Sequence, residues 1–322
     1  MKTIRWGIIG CGNVTEVKSG PGFQKADHSQ LVAVMRRTGT LAQDYAERHG
    51  VPKWYDQAED LIHDPEVDAV CIATPPNSHK DYTLAVAQAG KPVYVEKPMA
   101  LNFAECQTML DACRAADVPL FVAYYRRQLP RFLQVKSLLD EGAIGTVRFV
   151  NISLYQPAQP DLTPQNLPWR VRPEIAGAGL FYDLGSHMLD FLDYVLGPIE
   201  TAQGFSANQA GQYSAEDIVS TSFVFQSGVQ GVGNWCFTSF VSQDQIEIVG
   251  DRGKISFACF AEAPLVLTTS QGNTEFDIPH PPHVQQPLIQ SIVNDLNQIG
   301  HCPSTGQSGA RTSWVMDQIL GH

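Results

Sequence analysis

Two separate stretches of the chain hold residue types that move protons. Asp183 and His187 stand four residues apart in Gly177-Ala178-Gly179-Leu180-Phe181-Tyr182-Asp183-Leu184-Gly185-Ser186-His187-Met188, a spacing that carries two side chains on one face of a helix. A histidine near its ordinary pKa exchanges a proton at neutral pH, and a nearby carboxylate or lysine tunes it. The alternative for the same pair is an aspartate that caps the helix and a histidine satisfied within the core. Upstream, a strand-like run ends in Glu96-Lys97-Pro98. A lysine at the carboxyl end of a buried strand either reaches out to solvent or does chemistry there.

A second group of residues fits a dinucleotide. Gly10-Cys11-Gly12-Asn13-Val14-Thr15 supplies the first two glycines of GxGxxG and has Thr15 in the third place. After a strand and before a helix, Gly10 permits the tight turn and Gly12 lets backbone N–H groups, with Asn13 and Val14 following, approach a pyrophosphate. The plainer alternative is an ordinary strand-to-helix turn. Gly20-Pro21-Gly22 is expected to break the helix that follows after about one turn. Beyond Met35 comes Arg36-Arg37-Thr38, where an NAD enzyme usually places an acid for the ribose 2′-hydroxyl. Two guanidiniums and a hydroxyl suit a 2′-phosphate instead, which favours NADP(H) and leaves NAD(H) possible; solvated surface arginines are the alternative. Ala73-Thr74-Pro75-Pro76-Asn77-Ser78-His79 forms another strand-end turn, the place where open parallel sheets collect ligands.

These turns need a parallel sheet to position them. Ile4 to Ile9, Leu31 to Met35, Ala69 to Ala73, Val93 to Val95 and Leu120 to Val122 are apolar on both sides, as buried parallel strands are. Helical stretches alternate with them: Leu41 to His49, Tyr82 to Ala89, and Phe103 to Ala116 capped by Asn102 with Glu105 in the capping box. The pattern predicts an α/β, doubly wound Rossmann domain over residues 1–123. From residue 124 to 322 the rhythm changes to an α+β domain. A helix from Pro130 to Glu141 precedes strands at Val147 to Tyr155, Ser220 to Phe225, Val229 to Phe237, Gln245 to Val249 and Lys254 to Phe257, a large, open, mainly antiparallel sheet. Helices around Met188 to Leu196 and His283 to Ile299 are expected on one face, and the C-terminal helices are able to pack back on the first domain. The Pro-rich stretch Gln156 to Pro173 is expected to be a functional loop.

Composition removes several classes of function. The 322 residues fit about two domains at roughly 150 residues each, and 43% hydrophobic content builds a core. A formal charge of −11 has the wrong sign for general attraction to phosphate backbones, so no nucleic-acid partner is expected. Seven scattered cysteines without CxxC indicate neither a disulfide framework nor a zinc ribbon, and suit a reducing cytoplasm. His28, His49, His63, His280, His283, His301 and His322 show no HxH or HExxH spacing, so no metal site is assigned. No stretch approaches the ~18 apolar residues of a membrane span, and the start lacks a cleavage site. A soluble, unexported, cytoplasmic protein without a membrane partner is expected.

The motifs GIIGCGNV, ATPPNSH (Ala73 to His79), EKPMA (Glu96 to Ala100), YYRR (Tyr124 to Arg127), WR (Trp169-Arg170) and GAGLFYDLGSHMLD (Gly177 to Asp190) occur in that order. Together they resemble the Gfo/Idh/MocA family of NAD(P)-dependent sugar dehydrogenases, the glucose–fructose oxidoreductase and inositol dehydrogenase group, over nearly the whole chain. The resemblance implies that Lys97 sits beside nicotinamide and substrate, with Asp183 and His187 facing it from the second domain. His187 is then the general acid/base for the substrate hydroxyl, Lys97 the hydrogen-bond donor to the reacting oxygen, and Asp183 the group that orients the substrate or the histidine. Trp169 and Arg170 match a cofactor-facing pair, Tyr125 lies where an interdomain cleft is expected, and Thr15 replaces a position often held by Ala.

The expected function is therefore hydride transfer between NADP(H) and a secondary alcohol or carbonyl of a sugar, cyclitol or related polyol. The cofactor contacts are expected from Gly10, Gly12, Asn13, Val14, Arg36, Arg37, Thr38, Ala73, Thr74, Pro75, Asn77, His79, Glu96, Lys97, Trp169 and Arg170. Substrate contacts are expected from Lys97, Tyr125, Asp183 and His187. Pairing through the open sheet face, to a homodimer or homotetramer, follows from the resemblance alone. Two other functions share the motifs: a glycoside-processing enzyme that uses transient oxidation and elimination, and a non-catalytic NADP-binding metabolite sensor.

Overall fold

The computed structural model describes residues 1–159, 162–163 and 166–322. Residues 160, 161, 164 and 165, within the loop expected from Gln156 to Pro173, lie outside the described residues. The chain divides into two compact units: Met1–Leu129 with Pro281–Ala310, and Pro130–His280 with Arg311–His322.

In the first unit, strands β1 (Ile4–Ile9), β2 (Ser29–Met35), β3 (Lys53–Tyr55), β4 (Ala69–Ile72), β5 (Val93–Val95) and β6 (Leu120–Val122) alternate with helices α1 (Gly20–Lys25), α2 (Gly39–His49), α3 (Ala58–His63), α4 (His79–Gln88) and α5 (Phe103–Ala115). The strands form a parallel sheet in the order β3-β2-β1-β4-β5-β6. Strands β4, β5 and β6 are buried at every position, as a sheet covered on both faces requires. Asn102 caps α5 by accepting the Glu105 N–H at 2.9 Å, the predicted capping contact. The edge strand β3 and the short α3 were not legible, because three residues of the pattern Lys-Trp-Tyr show no usable periodicity.

The expected break at Gly20-Pro21-Gly22 does not occur as predicted. Thr15–Ser19 forms a turn of π helix that runs directly into α1, with Pro21 in its first turn, where a missing N–H is tolerated. The wide turn sends the Gly20 N–H to the Thr15 carbonyl, and the Tyr45 hydroxyl donates to the same oxygen at 2.9 Å. A Cβ on Gly20 would stand 2.3 Å from both the Thr15 oxygen and the Tyr45 hydroxyl. Gly20 is thus a close-approach glycine rather than a breaker.

The second unit carries α6 (Pro130–Asp140), β7 (Val147–Tyr155), α7 (Pro173–Ala176), α8 (Ser186–Leu196), β8 (Ile199–Ala207), β9 (Ile218–Phe225), β10 (Gln230–Cys236), β11 (Gln243–Gly250), β12 (Gly253–Phe257), β13 (Leu265–Thr269) and β14 (Gly272–Phe276). Among the described residues these strands form one sheet, β14-β13-β12-β11-β7-β10-β9-β8, antiparallel except between β7 and β10. Period-two alternation buries Val150, Ile152 and Leu154 of β7 and Trp235 of β10 on one face. There Phe132, Phe191 and Phe257 of α6, α8 and β12 meet edge to face, ring centroids 4.8–6.0 Å apart. The opposite face leaves Phe149 and Val232 41% and 53% exposed.

Helices α9 (Gln286–Leu296) and α10 (Gly306–Leu320) close the chain. Pro281–Ala310 belongs to the first unit, where Val122 N–H donates to Ser304 O at 3.1 Å and Arg127 donates to Pro303 O at 2.8 Å.

Candidate active site

At the carboxyl end of β1, Gly10 has φ +92°, and its N–H donates to the Met35 carbonyl at the end of β2 (2.8 Å). A Cβ there would lie 2.7 Å from the Thr74 methyl and 3.0 Å from the backbone of residues 73 and 74; the turns after β1 and β4 are packed against each other through that missing side chain. Gly12 differs, since its nearest obstruction for a Cβ is the Gly10 oxygen at 3.9 Å. Thr15 explains the absent third glycine. Its hydroxyl accepts from Gly12 N–H (3.0 Å) and donates to Gly12 O (2.8 Å), locking the turn from inside. Thr15 and Glu16 N–H groups both donate to Gly12 O. The N–H groups of Asn13 and Val14, which precede the first helical bond, have no carbonyl a turn back.

The neighbouring strand ends supply the other expected residues. Arg36, Arg37 and Thr38 follow β2 and are all exposed, with one Arg36 nitrogen 3.4 Å from Cys11 O. After β4, Ala73, Thr74 and Pro75 are half-buried and Asn77 is exposed. Ser78 donates to the Thr74 hydroxyl at 2.7 Å. His79, expected among the cofactor contacts, is fully enclosed. Its Nε2 lies 2.7 Å from Thr74 O, and its Nδ1 lies 3.1 and 3.2 Å from Pro98 O and Met99 O. Burial pushes His79 below the usual histidine range against the pull of those carbonyls. It is a positioning residue that ties the turn after β4 to the turn after β5.

The turn after β5 rests on a buried network that no motif predicted. Glu96 Oε1 accepts from Gln285 at 2.6 Å, and Gln285 accepts from the Tyr94 hydroxyl at 2.8 Å. The other Glu96 oxygen accepts the Lys97 N–H at 3.2 Å. Burial pushes the Glu96 carboxyl up, while Gln285, Lys97 and Lys18 act the other way. The Lys97 side chain is half-buried. Tyr125, just past β6, has its ring centroid 5.2 Å from the Arg126 guanidinium and 5.9 Å from Lys18 Nζ.

In the second unit, Phe181–Gly185 is another π turn leading straight into α8, so the segment holding Asp183 and His187 is helical. Asp183 lies inside the π turn, and the N-cap positions are Leu180 and Gly185. Asp183 pairs with Arg170, Nε to Oδ2 at 3.1 Å, and the Arg170 guanidinium stacks 4.5 Å from the Trp169 ring centroid. The Trp169-Arg170 pair and Asp183, separate motifs in sequence, are therefore one cluster. His187 is 3% exposed, with Phe260 edge-on at 5.9 Å. Glu216 holds the approach to this turn by accepting the Gly179 N–H at 2.9 Å, and burial pushes its carboxyl up. The Tyr182 hydroxyl donates to Asp317 of α10, and Thr312 donates to Asp190 at 3.1 Å.

A parallel sheet of this strand order, with a positive-φ glycine turn at the β1–β4 crevice, is a Rossmann dinucleotide-binding fold. Residues 4–124 match the model of the oxidoreductase family with NAD-binding Rossmann fold, and residues 132–256 match the GFO/IDH/MocA C-terminal domain. The chain is similar to oxidoreductase P35 of Formosa agariphila, 40% identical over 99% of this chain and 98% of the relative. It is also similar to myo-inositol 2-dehydrogenase of Thermotoga maritima, 29% identical over 84% of this chain and 80% of the relative. A solved levoglucosan dehydrogenase in complex with NADH and levoglucosan shares the fold, with a TM-score of 0.87 and 22% identity over 98% of this chain and 96% of the other. The chain belongs to the Gfo/Idh/MocA oxidoreductase family, and its first unit is an NAD-binding Rossmann domain. Among the described residues no helix is long and apolar enough to cross a membrane.

Proposed function

We propose that the protein is an NADP(H)-preferring dehydrogenase/reductase that interconverts a secondary alcohol and a carbonyl on a sugar, cyclitol or related polyol. The substrate class is supported by the relatives' names, which include an inositol dehydrogenase and a levoglucosan dehydrogenase. The observation that carries the reading is the crowding of the Gly10–Val14 turn, Thr74, Lys97 and Tyr125 at the carboxyl ends of β1, β4, β5 and β6 of a single sheet. Ligands of open α/β sheets bind on that edge.

The residues fit the cofactor: Gly12 leaves its surface open, and the Asn13 and Val14 N–H groups suit a diphosphate. Gly10 shapes that turn, Arg36, Arg37 and Thr38 would hold a 2′-phosphate, and Ala73, Thr74, Pro75 and Asn77 would line the crevice. Glu96 acts from beneath, through the Lys97 backbone, and Trp169 with Arg170 would contact the cofactor from their own cluster. When bound, the nicotinamide supplies or accepts the hydride. Lys97 donates a hydrogen bond to the reacting oxygen and stabilises the negative charge that develops there. His187 takes or returns the hydroxyl proton at a ring nitrogen. Asp183, held by Arg170, orients the substrate or the imidazole, and Tyr125 contacts substrate. The half-exposed apolar sheet face carrying Phe149 and Val232 is suited to pairing with a second copy, and seven free cysteines fit a reducing cytoplasm.

The test is fluorescence titration with NADPH and NADH, then turnover of a panel of sugars and polyols. NADPH is expected to bind at least about tenfold tighter, about 1.4 kcal/mol; equal or tighter NADH binding overturns the NADP preference. Lys97→Ala and His187→Ala together are expected to abolish measurable turnover, and activity surviving in the double variant removes the mechanism.

A further inference from the structure

Gln285 belongs to none of the motifs above. It stands at the N-cap of α9, fully buried, and belongs with the rest of Pro281–Ala310 to the first unit. Its amide joins two residues of the segment that carries Lys97: Nε2 donates to Glu96 Oε1 at 2.6 Å, and Oε1 accepts from the Tyr94 hydroxyl at 2.8 Å. The donors run one way, from Tyr94 through Gln285 into Glu96, and the Lys97 N–H enters the other Glu96 oxygen at 3.2 Å. Gln285 and the Lys97 N–H both donate to this carboxyl, an arrangement that suits its ionised form, which accepts and does not donate. Two residues earlier, His283 Nδ1 lies 3.0 Å from the Val17 carbonyl of the first π turn. One short segment therefore ties the turn after β1 to the turn after β5.

A polar joint is not needed to dock the helix. Leu288, Ile289, Ile292 and Val293 of α9 are buried, and Ile289 lies so close to Gly22 that a Cβ there would stand 2.8 Å from it. An apolar side chain at position 285 would anchor the same helix without burying an amide, and exchanging buried polar groups for apolar ones of similar shape is often neutral or stabilising. What an apolar side chain could not do is serve Glu96. Burial pushes the Glu96 carboxyl up, and Gln285 is the largest influence against it, ahead of Lys97 and Lys18. The Tyr94 hydroxyl and the Cys71 thiol, both buried and both pushed up chiefly by burial, also feel the Glu96 charge. Deprived of the amide, the carboxylate keeps its burial and loses its strongest support, so it takes up a proton at a higher pH.

We propose that Gln285 is a positioning residue for the hydride-transfer reaction, acting on Lys97 through the Glu96 carboxylate that it holds in place. This rests on the functional reading above, in which Lys97 donates to the reacting oxygen. Glu96 fixes the Lys97 backbone through its N–H and supplies a negative charge that the Lys97 ammonium feels. Gln285 fixes Glu96.

The experiment compares the full-length wild type with Gln285→Met, which keeps the length of the side chain without its donor, and with Gln285→Glu. The Glu96 carboxyl is followed by carbon-13 NMR of glutamate-labelled protein, its signal identified by its loss in Glu96→Gln. In Gln285→Met its midpoint is expected about one pH unit or more above wild type, roughly a tenfold shift of the ionisation equilibrium. With NADP(H) and a polyol that the wild type turns over, kcat of Gln285→Met at about pH 7 is expected to fall roughly tenfold, the effect of one hydrogen bond to a charged group. KM and the Kd for NADPH are expected to change less than about threefold. Gln285→Glu donates only while the two carboxyls share a proton, so its kcat is expected to fall toward that of Gln285→Met as pH rises; this variant carries the test if Gln285→Met does not fold. An unmoved Glu96 midpoint, an unchanged kcat in Gln285→Met, or a Gln285→Glu profile identical to wild type overturns the proposal. So does a Gln285→Met protein that melts lower with kcat intact, which leaves the residue as a fastening of α9. A wild type that turns over no sugar or polyol, with the Glu96 midpoint still raised in Gln285→Met, overturns the dehydrogenase reading and confines Gln285 to setting the charge of Glu96.

Discussion

At the residue scale, the side chains proposed to carry chemistry differ in how they are held. Asp183 has a charged partner in Arg170, which is itself stacked on Trp169, so its orientation is set before any ligand arrives. Arg36 and Arg37 are exposed, and Arg36 reaches the Cys11 carbonyl at 3.4 Å. That asymmetry yields a clean prediction. Arg36→Ala combined with Arg37→Ala should weaken NADPH binding by about 1–3 kcal/mol, the worth of hydrogen bonds to charged groups, while NADH binding and melting temperature stay close to wild type. Parallel titrations of the two nucleotides check it; equal losses for both would mean the arginines do not recognise a 2′-phosphate. His79 is the opposite case, a motif residue whose ring is sealed from solvent and whose work is to hold two turns together.

At the element scale, the segments proposed to handle cofactor and proton both run through π turns, Thr15–Ser19 and Phe181–Gly185. Such turns insert a residue into a helix, widen it locally, and occur often at functional sites. The first is maintained by the Tyr45 hydroxyl reaching Thr15 O over the bare Cα of Gly20. Gly20→Ala should therefore cost about 1–3 kcal/mol of stability through overpacking, although alanine is the better helix former. Urea unfolding of the variant measures this, and a stabilised variant would show that the π turn relaxes to α helix without loss. The sequence suggested a helix broken at Gly20-Pro21-Gly22 because glycine and proline are helix breakers by propensity. The packing around Tyr45, thirty residues from the Thr15 carbonyl it binds, decided otherwise.

For the molecule as a whole, a buried acid such as Glu216 gives one contribution to the response to pH. The folded-state pKa of Glu216 is raised by burial, so its contribution is fully favourable below the unfolded value near 4.5 and is lost as pH rises through the folded value. Above that folded value the fold keeps a charge in a poor place, with Gly179 N–H as a partial remedy. Glu216→Gln should consequently melt higher than wild type at pH 7, and the difference should vanish near pH 4. Scanning calorimetry of both proteins across that range tests the sign; a variant less stable at pH 7 would mean the carboxylate stabilises the turn that leads to Asp183.

What the sequence determined by itself was most of what local rules control. Five of the six strands of the Rossmann sheet, the Asn102 cap, and the alternation of β7 and β10 follow from apolar periodicity, capping chemistry and period-two burial. The chemically distinctive residues were legible because glycine turns, strand-end lysines and Asp/His spacings carry their meaning within a few positions. The tertiary structure alone decided which distant residues meet. The return of Pro281–Ala310 to the first unit brings Gln285 to Glu96 across 189 residues, and Arg170 reaches Asp183. The enclosure of His79 and the approach of Lys18 to Tyr125 belong with them. These contacts depend on chain crossings and side-chain packing, for which no local pattern exists, and they are what turn a set of motifs into a site with a charge and a shape.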